Sequence, residues 1–441
     1  MNNPTDATLE HHWMPFTANR DFKANPRLQV RAEGMYYWND RGEKILDGVS
    51  GLFCVAAGHN RPEIREAVYR QLGELDYAPH LQLGFPGSFE LARQLAELTP
   101  GDLNRVFFTC TGSDAVETSL KIALAYHRAR GEGQRIRLVG RERGYHGVNF
   151  GGMSVGGIGR NREAFGPLLP GVLHLRHTWL PENRFTQGQP EHGAELADDL
   201  QQMVQTHGNT IAACIVEPVA GSTGALVPPK GYLERLRQIC DRHGILLIFD
   251  EVITGFGRLG KPFAAQAYGV TPDIIAMAKG ITNGCLPMGA VAVREGIYNC
   301  VTEAASDGGI ELFHGYTYSG APAAVAAALA TLEIYRKEGL FERAATMSPY
   351  FLDAIFSLRD LPNITDIRGD GMIAGIDLAR KDNTPGKAGR AAFLGLYEAG
   401  VLTKATGDTL LLAPPLIAEE SDFTFITEKL RRVLISEPIV P

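Results

Sequence analysis

The stretch Ile245-Leu246-Leu247-Ile248-Phe249-Asp250 decides the fold of this chain. An unbroken apolar run predicts a strand that is buried on both faces, as strands of parallel sheets are. A carboxylate, Asp250, closes the run and needs a partner if it is buried. Its place is informative because ligands of open α/β sheets bind beyond the carboxyl ends of the strands.

Similar apolar runs occur on both sides of this stretch and alternate with helical patterns. The predicted strands are 105–109, 137–139, 211–216, 274–276 and 290–293, and the predicted helices between or before them are 62–72, 88–98, 114–130 and 231–243. Such alternation is typical of an α/β fold with a mostly parallel sheet flanked by helices. We therefore predict a large domain of this kind at residues 61–318.

The remainder of the chain predicts a smaller α+β domain. Residues 319–441 contain a long Ala-rich helical pattern, strand candidates at 372–378 and 409–412, and a terminal helix near 421–433. Residues 1–60 are mixed and turn-rich, and we expect this N-terminal segment to join the small domain.

The composition indicates an ordinary globular protein without a polyanionic partner. The chain has 441 residues, a net charge of −7 and six cysteines. We expect no nucleic acid and no membrane among its partners. The cysteines form no C-x-x-C pair, which favours free thiols in a reducing cytoplasm and predicts no metal site.

Chemically suggestive residues follow several of the predicted strands. Gly112-Ser113 opens a helix and could bind a phosphate or merely cap the helix. Tyr145 lies between glycines and could face a planar ring or cover the core. Glu217 ends an apolar strand as either a cofactor contact or a surface acid. Lys279, in Ala276-Met277-Ala278-Lys279-Gly280, is either a desolvated amine or a surface lysine with an apolar stem.

A lysine amine and a strand-end acid suit pyridoxal phosphate in particular. The lysine would form a Schiff base with the cofactor aldehyde, and Asp250 would hold the pyridine nitrogen protonated. Seen alone, Asp250 could also be a structural acid or a metal ligand. The later loop His314-Gly315-Tyr316-Thr317 could give a hydroxyl to a phosphate or could simply join the domains.

With these residues in this order, the chain resembles class III aminotransferases of pyridoxal-phosphate fold type I. More narrowly, it resembles the ω-amino acid:pyruvate aminotransferases, including β-alanine:pyruvate aminotransferases. The likeness runs from His12-Trp13-Met14-Pro15-Phe16 to Gly407-Asp408-Thr409. Its most specific stretch is Leu246-Leu247-Ile248-Phe249-Asp250-Glu251-Val252-Ile253-Thr254-Gly255-Phe256-Gly257-Arg258.

The resemblance implies a role for each matching residue. Lys279 is the Schiff-base lysine and proton shuttle, and Asp250 is the partner of the pyridine nitrogen. The other implied cofactor contacts are Gly112 and Ser113 at the phosphate, Tyr145 and Val252 on the two faces of the ring, Glu217 beside the cofactor, and Thr317 donated by a neighbouring subunit. The implied substrate contacts are Phe53, Phe85, Tyr145 and Lys404. A homodimer with sites at its interface follows, with tetramers left open.

Three departures from the family pattern concern the substrate. Lys404 stands where the family usually has an arginine that grips a carboxylate, and lysine lacks the two-pronged guanidinium. Phe53 replaces a tryptophan and Leu411 a glutamine. These changes predict weaker binding of keto acids and a preference for longer ω-amino acids or arylalkyl amines over β-alanine.

The implied activity is transfer of an amino group from an ω-amino acid or primary amine to pyruvate. The residues alone leave open 2-oxoglutarate as the acceptor, and a racemase, aminomutase or decarboxylase of the same fold. A dinucleotide-dependent oxidoreductase is the alternative from another class, because residues 152–159 are rich in glycine. That reading is weak since the glycines lack a clear strand before them and an acid about 20 residues later.

Overall fold

A computed structural model describes residues 6–380 and 384–436 of the chain. The described strands are β1 (Gln29–Glu33), β2 (Tyr36–Asn39), β3 (Lys44–Asp47), β4 (Arg105–Thr109), β5 (Arg137–Arg141), β6 (Leu173–Leu175), β7 (Ile211–Val216), β8 (Leu246–Asp250), β9 (Ile274–Ala278), β10 (Gly289–Val293), β11 (Ile364–Asp370), β12 (Ile373–Leu378), β13 (Val401–Leu402), β14 (Lys404–Thr406) and β15 (Thr409–Leu412).

The described helices are α1 (Asp6–Glu10), α2 (Asn19–Ala24), α3 (Ser50–Phe53), α4 (Pro62–Glu74), α5 (Pro86–Leu98), α6 (Gly112–Ala129), α7 (Phe150–Val155), α8 (Gly159–Glu163), α9 (Asp198–His207), α10 (Tyr232–His243), α11 (Ala264–Ala267), α12 (Glu295–Glu303), α13 (Pro322–Lys337), α14 (Leu340–Phe356), α15 (Lys387–Glu398) and α16 (Glu420–Ser436). No helix among the described residues is both long and apolar enough to cross a membrane.

A seven-stranded sheet forms the centre of the molecule, in the order β4-β10-β9-β8-β7-β5-β6. Only β10 runs against its neighbours, β4 and β9, and the other paired strands are parallel. Strands β7, β8 and β9 are buried along their whole length, as their uninterrupted apolar sequences predict. The predicted α/β class with a mostly parallel sheet is confirmed.

Two four-stranded sheets lie outside the central one. One is antiparallel in the order β11-β12-β15-β14, and the other has the order β1-β2-β3-β13. In the second sheet β13, from the C-terminal part of the chain, pairs in parallel with β3. The strands β1, β2 and β3 were not predicted, because the sequence of residues 1–60 is mixed and turn-rich.

The hairpin of β14 and β15 has a register fixed by its turn. Lys404 pairs with Leu411 across the hairpin, and Gly407 and Asp408 form the turn. Gly407 has a positive φ of 56°, which glycine adopts without the steric cost of a Cβ atom. The Asp408 carboxylate accepts a hydrogen bond from the amide of Ala388 at 3.1 Å, which pins the turn to the start of α15.

Candidate active site

The carboxyl ends of the parallel strands and of β4 meet at one edge of the central sheet. Asp250 ends β8, while Glu217 and Lys279 directly follow β7 and β9. Gly112 lies three residues beyond β4, and Tyr145 lies in the loop after β5. The topology therefore brings these predicted residues to the same edge, as expected of a ligand site in an open α/β sheet.

Lys279 lies in a strained turn directly after β9. Its φ is +53°, a left-handed conformation that costs a non-glycine residue of the order of 1–3 kcal/mol. The turn is held by the buried hydroxyl of Tyr335, which donates to the carbonyl of Gly280 at 2.7 Å. Desolvation lowers the pKa of Lys279, so its amine is more readily available as a nucleophile or base. The interpretation of Lys279 as a surface lysine is wrong.

Asp250 is buried and paired with a histidine. The Nδ1 of His146 lies 2.8 Å from Oδ2 of Asp250, and the amide of Val252 donates to Oδ1 at 3.1 Å. The aspartate is 5% exposed and His146 1% exposed, so a hydrogen bond between them is shielded from water. His146 was not predicted as a site residue, although it directly follows Tyr145 in Gly144-Tyr145-His146-Gly147. Its position between an aromatic residue and a glycine at a strand end is the signal that was available.

Glu217 holds two backbone segments of the site. Its Oε1 accepts from the amide of Tyr145 at 2.9 Å, and its Oε2 accepts from the amide of Gly221 at 3.1 Å. The side chain is buried, and desolvation raises its pKa. Glu217 is therefore no surface acid, and the same residue fixes the loop that carries Tyr145.

The start of α6 is the candidate phosphate site, and its N-cap is Thr111, whose Oγ1 accepts from the amide of Asp114 at 3.2 Å. A Cβ on Gly112 would lie 3.0 Å from Val252 Cγ1, so a larger residue would push into the position of Val252. The hydroxyl of Ser113 accepts from the amide of Val148 at 3.1 Å. The first amides of a helix have no partners within the helix and carry a partial positive charge, which suits a phosphate.

Two lysines lie against one aromatic ring. The Nζ atoms of Lys279 and Lys404 are 5.5 Å and 5.6 Å from the ring centroid of Phe53. Phe53 belongs to an apolar cluster that also contains Leu411, the residue opposite Lys404 in the hairpin. The two departures Phe53 and Leu411 therefore lie in the same apolar cluster beside these two cations.

Lys404 is tethered by two oxygens that were not predicted from the sequence. Its Nζ donates to the carbonyl of Ser222 at 3.3 Å and to Oγ1 of Thr406 at 3.2 Å. Desolvation, reinforced by the charge of Lys279, lowers the pKa of Lys404 to about 8. Ser222 is distant in sequence and its contact is through the backbone, so no side-chain pattern could have revealed it.

Phe85 and Thr317 lie apart from this apolar cluster and near each other. Phe85 packs in the large core with its ring centroid 5.7 Å from that of His80. Thr317 is exposed, and its carbonyl accepts from the hydroxyl of Tyr77 at 3.1 Å. Within one chain, these two predicted site residues therefore lie on two loops that contact each other.

This combination of a mostly parallel sheet, a strand-end acid and a desolvated lysine is that of a pyridoxal-phosphate enzyme. The family model of class III aminotransferases matches residues 17–434, and the chain belongs to that family. It is 56% identical to an omega-aminotransferase of Caulobacter vibrioides, with 97% of each chain covered. It is 48% identical to a beta-alanine–pyruvate aminotransferase of Pseudomonas aeruginosa, covering 96% of this chain and 95% of the relative.

Solved structures give the same result. An omega transaminase from Pseudomonas jessenii in complex with PMP superposes with a TM-score of 0.93 at 32% identity, covering 98% of this chain and 97% of the other. The predicted class III aminotransferase is confirmed, and the chain is an enzyme that depends on pyridoxal phosphate.

The residues present fit this cofactor. Lys279 offers an amine with a lowered pKa to the cofactor aldehyde, and Asp250 offers a buried carboxylate to its pyridine nitrogen. The helix start at Gly112 is suited to its phosphate. The oxidoreductase alternative is wrong. Its glycines serve close packing, because a Cβ on Gly152 would lie 2.2 Å from the carbonyl oxygen of His146 and one on Gly157 would lie 2.2 Å from that of Arg141.

Proposed function

We propose that the protein is an ω-transaminase that moves an amino group from an ω-amino acid or primary amine to pyruvate, giving alanine and an aldehyde or ketone. The observation that carries the proposal is that Lys279 and the Asp250–His146 pair lie at the same edge of the central sheet. The choice of donor class and acceptor is supported by the relatives named omega-aminotransferase and beta-alanine–pyruvate aminotransferase.

Pyridoxal phosphate, when bound, supplies an aldehyde that condenses with amines and a protonated ring that withdraws electrons. We assign Lys279 as its covalent attachment point and Asp250 as the partner of its pyridine nitrogen. Gly112 and Ser113 would hold its phosphate, and Tyr145 and Val252 would contact its ring.

The chemistry of the chain's own residues is movement of protons. Lys279 Nζ takes the proton from the carbon that bears the amino group of the donor, and desolvation favours this step because it lowers the pKa of the amine. The hydrogen bond from His146 orients the Asp250 carboxylate. Glu217 holds the Tyr145 loop in place through the amide hydrogen bond at 2.9 Å. Since donor and acceptor use one site in turn, the kinetics are ping-pong.

The substrate pocket favours donors with apolar bodies. Phe53 and Leu411 make its wall apolar, and Lys404 supplies a single ammonium to a carboxylate. Lys404 lacks the planar fork of a guanidinium, so it orients a carboxylate less strictly than an arginine would. Its ammonium also shares its hydrogen bonds with Ser222 and Thr406. We therefore propose longer ω-amino acids and arylalkyl amines as better donors than β-alanine.

Homodimerisation completes the site in this proposal. Phe85 and Thr317 lie on neighbouring loops, and the same loops carry exposed apolar side chains, including Leu81, Leu83 and Phe313 at 62%, 68% and 88% exposure. An apolar surface of this kind is buried when two copies associate. The proposal is that each copy contributes these two residues to the site of the other copy.

Organisation and location follow from the same reading. We propose an N-terminal segment at residues 1–60 joined to the small domain, a large cofactor-binding domain at 61–318 and a small domain at 319–441. The pairing of β3 with β13 supports the first assignment. The six free thiols support a reducing cytoplasm.

The test is a donor panel of β-alanine, 6-aminohexanoate and 1-phenylethylamine, with pyruvate and 2-oxoglutarate as alternative acceptors. Alanine formation that requires both amine and pyruvate supports the proposal. Glutamate formation from 2-oxoglutarate alone would change the acceptor. Loss of carbon dioxide or isomerisation without an acceptor would point to a decarboxylase or an aminomutase. Sedimentation of the purified holoenzyme as a monomer would contradict the dimer.

A further inference from the structure

The segment α3 (Ser50–Phe53), which carries Phe53, is a turn and not a regular helix, because Gly51 and Leu52 have non-helical backbone angles. Ser50, Gly51 and Phe53 have φ values of 51°, 66° and 61°, so three of four consecutive residues are left-handed. For the two that are not glycine this costs of the order of 1–3 kcal/mol each. Such a backbone persists only where surrounding contacts hold it.

A buried aspartate holds the turn from one side. Asp47 accepts from the amide of Val49 at 3.0 Å and from that of Gly51 at 2.6 Å. Its Oδ2 also lies 2.7 Å from Nε2 of His59. Both carboxylate oxygens are thus used, and the amides of the turn are fixed relative to the N-terminal sheet.

A buried arginine holds it from the other side. Nη2 of Arg258 donates to Oγ of Ser50 at 3.1 Å, while Nη1 donates to the carbonyls of Met372 at 3.0 Å and Pro414 at 2.7 Å. Ser50 Oγ in turn donates to the carbonyl of Ala413 at 2.7 Å. Arg258 is 2% exposed, and these three hydrogen bonds all go to uncharged oxygens. A buried guanidinium is costly without an acid, so its retention here calls for a reason.

The position of the turn matters because of what Phe53 contacts. The centroid of its ring lies 5.5 Å from the Nζ of Lys279 and 5.6 Å from the Nζ of Lys404. A shift of the turn by a fraction of an ångström moves the ring relative to both cations. The Ser50 hydroxyl joins this turn to the carbonyl of Ala413 directly. Through Arg258 it also joins the turn to the carbonyls of Met372 and Pro414.

We propose that Arg258 is a positioning residue that acts through Ser50 on Phe53 and thereby sets the selectivity of the substrate pocket. The inference rests on the proposed transaminase function for its kinetic part. It assigns a task to the last residue of the stretch 246–258, which the cofactor assignments leave unused. We assign Arg258 no contact with substrate or cofactor, since the hydrogen bonds described above go to protein oxygens.

The test is a double-mutant cycle between Ser50→Ala and Phe53→Ala in the holoenzyme. Ser50→Ala removes both hydrogen bonds of the Ser50 hydroxyl, the one accepted from Arg258 and the one donated to the carbonyl of Ala413, and leaves Arg258 in place. We expect the KM for 1-phenylethylamine to rise about fivefold, with kcat within about twofold. In the Phe53→Ala background the same change should alter KM by less than about twofold, because the ring it positions is gone.

A purely structural role gives a different result. Ser50→Ala would then change KM by the same factor in both backgrounds, and that outcome overturns the proposal. Thermal unfolding measures the structural part, which should be alike in both backgrounds. Ser119→Ala is the matched control, since Ser119 is also a buried serine that donates to a backbone carbonyl, at 2.8 Å, but lies within α6. Arg258→Lys is the second variant and should show the same dependence on Phe53.

A readout without turnover separates this inference from the proposed function. Reductive methylation of Lys404 in cofactor-free protein, followed by peptide mass spectrometry, reports how well Phe53 covers the amine. Ser50→Ala should speed it about threefold through local loosening, and Phe53→Ala should abolish that dependence. An unchanged rate in Ser50→Ala overturns the inference even where turnover is absent. Absence of alanine formation by the wild type instead overturns the proposed function.

Discussion

His146 and Asp250 form a buried polar pair in the site, with Nδ1 2.8 Å from Oδ2. The pair joins the loop after β5 to the end of β8, so the loop and the acid are positioned together. Because the carboxylate is buried, it stays oriented only while its hydrogen bonds are intact. A substitution in this pair should therefore lower the rate of the cofactor chemistry while the chain still folds.

His146→Ala should lower kcat by about 10–100-fold, because a hydrogen bond to a charged group contributes about 1.5–3 kcal/mol. Asp250→Ala should cost more, since it removes the acid itself. Steady-state kinetics with saturating cofactor measure both. The absence of any effect of His146→Ala on kcat would show that the pair does not tune the ring.

Lys279→Ala should reduce turnover by at least about 1000-fold, because it removes both the attachment point and the proton carrier. The visible spectrum of the holoenzyme should lose the band of the lysine-linked cofactor. Lys261→Ala is the matched control, since Lys261 is exposed and lies elsewhere. An unchanged spectrum in Lys279→Ala would refute the assignment.

Keto-acid binding should weaken as the pH rises through 8. Lys404 has a pKa lowered to about 8 and is protonated below that value, so its attraction for a carboxylate is present below pH 8 and lost above it. The KM for pyruvate should rise about tenfold between pH 7 and pH 9. In Lys404→Arg the rise should disappear, because a guanidinium stays charged over this range. An equal rise in both proteins would assign the titration to another group.

Introducing the tryptophan and glutamine that the resemblance implies at positions 53 and 411 should improve β-alanine as a donor. Phe53→Trp with Leu411→Gln makes the pocket wall narrower and more polar where Phe53 and Leu411 now share an apolar cluster. The ratio of kcat/KM for β-alanine to that for 1-phenylethylamine should rise about tenfold, an effect typical of small changes in pocket shape. A fall in this ratio would contradict the interpretation of the two departures.

Gly112→Ala should weaken cofactor binding. The new methyl group would lie 3.0 Å from Val252 Cγ1 and would displace a residue that contacts the ring in our proposal. We expect the Kd for pyridoxal phosphate to rise about tenfold, in line with a steric cost of about 1–3 kcal/mol. Titration of cofactor-free protein measures it. Gly133→Ala is the control because its Cβ would meet no atom within 4 Å.

The sequence predicted the centre of the fold better than its edges. Strand β8 was predicted from its apolar run, since burial on both faces leaves a clear signature in the sequence. Strand β6 is a three-residue edge strand containing a histidine, and β13 has two residues, so neither has a periodicity to detect. Pairing of β13 with β3 depends on residues far apart in the chain.

The same distinction holds at the site. Lys279 and Asp250 could be identified because each is a charged residue at the end of an apolar strand. The tether of Lys404 to the Ser222 carbonyl could not, because any residue supplies a carbonyl. The role of Arg258 was equally hidden, since its partners include the carbonyls of Met372 and Pro414.

The β14–β15 hairpin limits how this pocket can diversify. Side chains alternate between the faces of a strand, so inserting or deleting one residue in the Gly407-Asp408 turn would rotate position 404 away from Phe53. The tie between Asp408 and α15 further resists a change in turn length. Descendants of this enzyme can thus acquire new donors by exchanging the side chain at 404 or 411, whereas length variation in this hairpin is closed to them.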